Sequence, residues 1–225
     1  MDQKKALMER IRLFVLDLDG TVYLGDRLLP GAADFITTAK EKGRRGLFFT
    51  NNTSRSPMEY VERLTRMGIP VTRGDILTAG DVTVHYLKTC RPGKSVCLLG
   101  VPALRQSFLE AGILLTEAQP DLVVVGFDKT LTYERLERAC TYLRRGAEFL
   151  ATHPDINCPT EAEPIPDCGA ICAAITASTG LTPHALGKPA PETVALVEAF
   201  SGLPRGPACT PMWPAAPKTA PSAFW

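Results

Sequence analysis

The sequence predicts an α/β fold in which strands of a parallel sheet alternate with helices. Three observations carry this. The apolar runs at 13–16, 47–49, 96–99 and 122–125 contain no polar residue, as expected of short strands buried on both faces. Each run stops abruptly, at Asp17, Thr50, Gly100 and Gly126. Helical patterns with recognisable ends separate the runs, and that alternation favours right-handed crossovers over a parallel sheet.

Taken in order, Pro30-Gly31 opens a helix that Gly43 closes. Ser56-Pro57-Met58-Glu59 reads as a capping box, with Ser56 at the N-cap, Pro57 at the first helical position and Glu59 reaching back. Gly68 ends that helix. Further helices are expected at 79–89, 103–111, 132–145, 169–179 and 191–200, with Gly146, Gly180 and Gly202 as stops. There is no internal repeat.

Composition narrows the function. In 225 residues, Lys plus Arg number 25 against 24 Asp plus Glu, a net charge of +1. That balance excludes binding driven by overall positive charge, to nucleic acid or to a membrane surface. No apolar run approaches the ~18 residues of a membrane span. The N-terminal Met-Asp-Gln-Lys-Lys leads into a mixed pattern without an apolar signal core, so a cytoplasmic protein is expected. The seven cysteines include no CxxC pair and read as reduced thiols.

Residues 201–225 differ from the rest. They hold six prolines and no Asp or Glu, whereas the first 200 residues hold all 24 acids. Prolines every three or four residues oppose a helix and a central strand alike. A Pro-rich, disordered tail at 204–225 is the expectation from composition.

The sharpest local signal is Asp17-Leu18-Asp19-Gly20-Thr21. Ligands of open α/β sheets sit outside the carboxyl ends of strands. Two acids there are costly to bury unless they bind a cation or do chemistry. Gly20 permits a tight turn and Thr21 offers a hydroxyl to an anion; an Asx-type turn closing an ordinary strand is the alternative. Thr50-Asn51-Asn52-Thr53-Ser54 supplies hydroxyl, amide and backbone donors at the next strand end, suited to phosphate oxygens or simply to capping the helix at Ser56. Gly187-Lys188-Pro189 places one positive charge before the helix at Pro191, or a solvated lysine.

Together these three segments resemble motifs I, II and III of the haloacid dehalogenase-like (HAD) phosphohydrolases. Their form is similar to class IIA, which includes nitrophenyl phosphatases, nucleotide phosphatases of the NagD type, and phosphoglycolate and pyridoxal phosphate phosphatases. The segments Val125-Gly126-Phe127-Asp128, Thr152-His153-Pro154-Asp155, Cys158-Pro159-Thr160 and Ile165-Pro166-Asp167-Cys168-Gly169-Ala170 also resemble that class. The resemblance implies a Rossmann-like core from 1–80 and 181–203, with an inserted α/β cap at 81–180. It implies Asp17 as the nucleophile that takes the phosphoryl group and Asp19 as the acid and base. It further implies Gly20, Thr21, Thr50, Asn51, Asn52 and Lys188 as phosphate and substrate binders, with Lys188 screening charge. Mg²⁺ would sit on the Asp17 carboxylate and the Asp19 backbone carbonyl. A small phosphorylated metabolite is the implied partner, and a homo-oligomer is compatible with the pattern.

One departure stands out. The family's fourth motif, an acidic pair usually beginning Gly-Asp, would fall near Trp213, where this chain reads Cys209-Thr210-Pro211-Met212-Trp213-Pro214. No acid follows Glu198. The implied consequences are a weakened metal site and, without the motif IV strand, an exposed apolar edge at 13–16. A frameshifted or erroneous gene end is the expectation this abrupt change raises. The scattered Cys158, Cys168 and Cys172 lack the close pairing of a zinc site and read as buried thiols. His85 reads as a helix-surface residue, and Arg144-Arg145 as charges favourable to a helix C-terminus.

Overall fold

The computed structural model describes residues 9–203 and 209–212. The first apolar run forms β1 (Leu13–Asp17). Behind it the Leu18 carbonyl accepts from the amides of Thr21, Val22 and Tyr23, a turn in which Gly20 takes φ +80°. A small hairpin follows, β2 (Tyr23–Leu24) and β3 (Arg27–Leu28), then helix α1 (Ala32–Glu41). Next come β4 (Arg45–Thr50), α2 (Pro57–Arg66), β5 (Ile76–Thr78) and α3 (Ala79–Cys90). The Ser56 capping box forms as expected: its Oγ accepts from Glu59 N and its amide donates to Glu59 Oε2.

A second run builds β6 (Val96–Leu99), α4 (Pro102–Glu110), β7 (Leu122–Val125), α5 (Tyr133–Arg144) and β8 (Glu148–Ala151). A hairpin of β9 (Asn157–Cys158) and β10 (Ile165–Pro166) leads into α6 (Cys168–Thr179). β11 (His184–Ala185), α7 (Pro191–Ser201) and β12 (Cys209–Met212) complete the described chain.

Two parallel four-stranded sheets result, ordered β12-β1-β4-β5 and β11-β8-β7-β6. Strand periodicity explains how they share a core. Leu13, Val15, Leu47 and Phe49 from the first sheet and Val96, Leu98, Leu122, Val124 and Leu150 from the second belong to one buried cluster, with Val82, Leu87, Leu104, Phe108 and Val197 of the intervening helices. The alternate residues Phe14, Leu16 and Phe48 pack with Tyr60 and Leu64 of α2. Cys97, Leu99, Val123, Val125 and Phe149 pack with α5 and α6. Each large apolar side chain so buried contributes about 1.5–3 kcal/mol.

The helices expected from caps and glycines lie within one residue of their expected ends from α3 onward. Three expectations need correction. Residues 209–212 of the expected disordered tail form a strand, while 204–208 and 213–225 lie outside the described residues. β1 is therefore no exposed edge: β12 runs parallel to it, from Leu13 opposite Cys209 to Leu16 opposite Met212. Pro211 is tolerated because, among the described residues, β12 is itself the edge strand. Finally, the second sheet continues past the expected boundary at 180/181, since β11 pairs with β8.

Candidate functional site

The strand ends of both sheets bring the sequence candidates together. Asp17 closes β1, Thr50 closes β4, and Lys188 follows β11 by three residues. Lys188 is 7% exposed, and its Nζ lies 2.6 Å from Asp17 Oδ1. The same ammonium donates to the Phe49 carbonyl at 3.2 Å, so a residue of the second sheet's last strand segment is pinned to the first sheet. Thr21 Oγ1 donates to Asp17 Oδ2 at 3.4 Å, and Thr50 Oγ1 to Asp19 Oδ2 at 3.5 Å. Residues 17, 19, 50 and 188 thus converge, although 171 positions separate Asp17 from Lys188.

Electrostatics distinguishes the two acids. Burial first, and then the Asp17 charge, push the Asp19 carboxyl up to about 6, against the opposing pull of Arg63, Lys188 and Arg55. A carboxyl with that value can hold or accept a proton near neutrality. Arg55 and Arg63 were not among the sequence candidates. Arg63 lies on α2, where its guanidinium stacks 4.7 Å from the Tyr23 ring centroid, pairs with Asp26 at 3.2 Å and donates to the Gly25 carbonyl. Only the packing of α2 beside the β2–β3 hairpin brings it to Asp19.

The 50–54 loop divides its work. Asn52 N donates to Thr50 Oγ1 at 3.0 Å. Asn52 Oδ1 accepts from Ser54 N and Oγ, so much of its side chain closes the local turn, and its Nδ2 faces Cys158 Sγ at 3.6 Å. Asn51 is 7% exposed and fully engaged with protein atoms: Nδ2 donates to Asp155 Oδ2 at 3.0 Å and to the Lys188 carbonyl at 3.1 Å, while Oδ1 accepts from Lys188 N at 2.9 Å. The Gly20 turn stands directly behind Asp19.

Close behind lies a second polar cluster. His153 is fully buried; its Nδ1 shares a hydrogen bond with Thr152 Oγ1 and its Nε2 with Asp167 Oδ1, both at 2.9 Å. Burial opposes a charge on this ring, but Cys168, Asp167 and Asp155 outweigh it and raise its pKa. Cys168 Sγ donates to the Val125 carbonyl at 3.2 Å, and burial pushes the Cys158 thiol up to about 12. Burial opposes a charge on Cys168 as well, but its contact with Cys172 and the neighbouring His153 outweigh it and hold that thiol below its usual value. His153, Asp155 and Asp167 are close enough to share an ion, but the two ring nitrogens of His153 are already committed.

For a divalent cation, the Asp17 and Asp19 region supplies hard oxygen donors. Asp17 raises the Asp19 pKa, so the pair carries repulsion that a cation would relieve. The donor set fits Mg²⁺, which tolerates few protein ligands by keeping water. It is one carboxylate short of the set the resemblance implies, since the stretch Cys209-Thr210-Pro211-Met212-Trp213-Pro214 carries no acid.

Comparison with known proteins agrees with this geometry. A family model described as haloacid dehalogenase-like hydrolase matches residues 14–114. An acid sugar phosphatase of Staphylococcus aureus is 36% identical over 185 residues, covering 82% of this chain and 71% of that protein. The solved 4-nitrophenylphosphatase of Thermotoga maritima has 46% identity and a TM-score of 0.86, covering 91% of this chain and 78% of that one. A glycerol phosphate phosphatase of Mycobacterium tuberculosis, solved in complex with magnesium, has 31% identity and a TM-score of 0.81, covering 91% of this chain and 62% of that one. The chain belongs to the haloacid dehalogenase-like hydrolases. Within them it is of class IIA, the NagD and nitrophenyl phosphatase type, and by this resemblance it is an enzyme of the phosphatase kind. Among the described residues no helix is long and apolar enough to cross a membrane.

Proposed function

We propose that this chain is a Mg²⁺-dependent phosphomonoester hydrolase acting on small phosphorylated metabolites through an aspartyl-phosphate. The observation that carries the reading is the convergence of Asp17, Asp19, Thr50 and Lys188 at the carboxyl ends of the strands. Asp17 supplies the carboxylate oxygen that attacks phosphorus as the ester P–O bond breaks. Asp19, in its protonated form, gives its proton to the departing alkoxide. It then takes a proton from water, whose oxygen attacks phosphorus and releases phosphate with Asp17 restored. A carboxyl near pKa 6 serves both halves of that cycle. Lys188 places positive charge beside Asp17, and Thr50 turns its hydroxyl into the same space. Mg²⁺, held by the Asp17 carboxylate and the Asp19 backbone carbonyl, would supply further charge to offset repulsion between nucleophile and phosphate dianion. The second sheet, from β6 to β11, is separate from the first, which supports an inserted cap unit that shapes substrate choice and extends past residue 180.

A second reading is binding of a phosphorylated ligand without turnover, favoured by the acid-free stretch Cys209-Thr210-Pro211-Met212-Trp213-Pro214, where the resemblance places the fourth acidic motif. Assay of 4-nitrophenyl phosphate with Mg²⁺ separates the two. Turnover by the chain, lost in Asp17→Asn, is expected. Equal background from both proteins, with phosphate still bound, would establish the second reading instead.

A further inference from the structure

We infer that Asp155 is a positioning residue for the phosphoryl site, acting through Asn51 to fix the backbone that carries Lys188. The inference rests on the proposed role of Lys188 and assigns Asp155, of the second sheet's side, a part in that same site.

The Asn51 amide joins three segments that are remote in sequence. One Nδ2 hydrogen goes to the Asp155 carboxylate, the other to the Lys188 carbonyl, and Oδ1 receives the Lys188 amide. Its orientation is unambiguous, because flipping it would set an amide oxygen against a carboxylate and a carbonyl. Asn51 thus spans both backbone groups of Lys188, and Asp155 is what holds its remaining hydrogen. Room for a looser arrangement is absent: a Cβ on Gly187 would meet Asn51 Oδ1, His153 Cβ and the Thr152 carbonyl, each at 2.7 Å.

Asp155 is itself built in. The Asp155 carbonyl accepts from Gly169 N at 2.8 Å, and the Ile156 carbonyl from Asp167 N at 2.8 Å, so the start of α6 clamps the segment. Asp167 caps α6 by accepting from Cys168 N and at the same time holds His153, two residues before Asp155. The buried His153–Asp167 pair therefore anchors the loop that presents the Asp155 carboxylate to Asn51. Without that carboxylate, one hydrogen of a buried amide loses its partner and Asn51 gains freedom to rotate away from Lys188.

A carboxylate near a phosphate site would otherwise only repel anions, and this makes the test two-sided. The full chain, Asp155→Ala, Asp155→Asn and Lys188→Ala are titrated calorimetrically with inorganic phosphate in the presence of Mg²⁺, and exchange of the Lys188 backbone amide is followed by mass spectrometry. Asp155→Ala is expected to bind phosphate about tenfold more weakly and to exchange the Lys188 amide about tenfold faster, with other core amides unchanged. Asp155→Asn keeps an acceptor for Asn51 and is expected to restore both to within about threefold. Tighter phosphate binding by both Asp155 variants, or unchanged Lys188 exchange in Asp155→Ala, overturns the inference. If the unsubstituted chain binds no phosphate, or binds it as Lys188→Ala does, the functional reading falls, while the exchange measurement still decides whether Asp155 positions Lys188.

Discussion

The two polar clusters of this molecule are built to opposite specifications. Around Asp17 and Asp19, like charges are crowded and Asp19 is held near pKa 6. Around His153 and Asp167, a buried acid and a buried base satisfy one another with both ring nitrogens engaged. The first arrangement stores unfavourable electrostatics that a ligand can discharge, as reactive sites do. The second is complete without a ligand and holds loops in place. Proximity alone would not separate them; the balance of partners does.

The largest expected break comes at the cluster proposed to react, around Asp17 and Asp19. Lys188→Ala removes the ammonium from Asp17 and is expected to lower 4-nitrophenyl phosphate turnover by about two to three orders of magnitude, read from steady-state rates. At the satisfied cluster the cost should fall on the fold. His153→Leu leaves a buried carboxylate without its partner and is expected to destabilise the chain by about 3 kcal/mol, measured by urea unfolding. Next, Gly187→Ala forces a methyl group into Asn51, Thr152 and His153 and should cost about 2 kcal/mol in the same assay.

The finest discrimination is in pH. The folded state raises the Asp19 pKa, so ionising it costs stability fully above about pH 6 and not at all below about 3.8. Asp19→Asn should therefore be more stable than the parent by on the order of 1–2 kcal/mol at pH 8, an advantage that vanishes by pH 3.5. His153, whose pKa is also raised, contributes the same sign of pH dependence in a higher window: stability present below its ordinary value of 6.5 and lost as pH rises through the raised value and the ring deprotonates. A parent chain and Asp19→Asn variant with parallel stability curves would erase the distinction between the clusters.

Much of this was legible in the linear chain, and unevenly so. The long helices announced themselves through caps and stops, such as Ser56 with Glu59 and Gly180 at φ +74°. The central strands were visible as unbroken apolar runs. β5, β8 and β11 were not, because two to four residues give no period and Glu148 and His184 interrupt the apolar pattern. β12 was hidden by its proline, a residue an edge strand accepts. Missing β8 also concealed that Thr152-His153-Pro154-Asp155 stands at a strand end, where its Asp155 can reach Asn51.

The identity and order of the proposed reacting groups could be read from the chain alone: two acids after one buried strand, a hydroxyl after the next, and a lysine before a late helix. Local steric preference and apolar patterning act over a few residues, so they are readable in a line of letters. The packing of distant segments set which acid sits near pKa 6, that Arg63 leans on Asp19, and that the Asn51 side chain is turned to Asp155 and Lys188. Desolvation and Coulomb interactions depend on distances between residues far apart in the chain, and folding alone sets those distances.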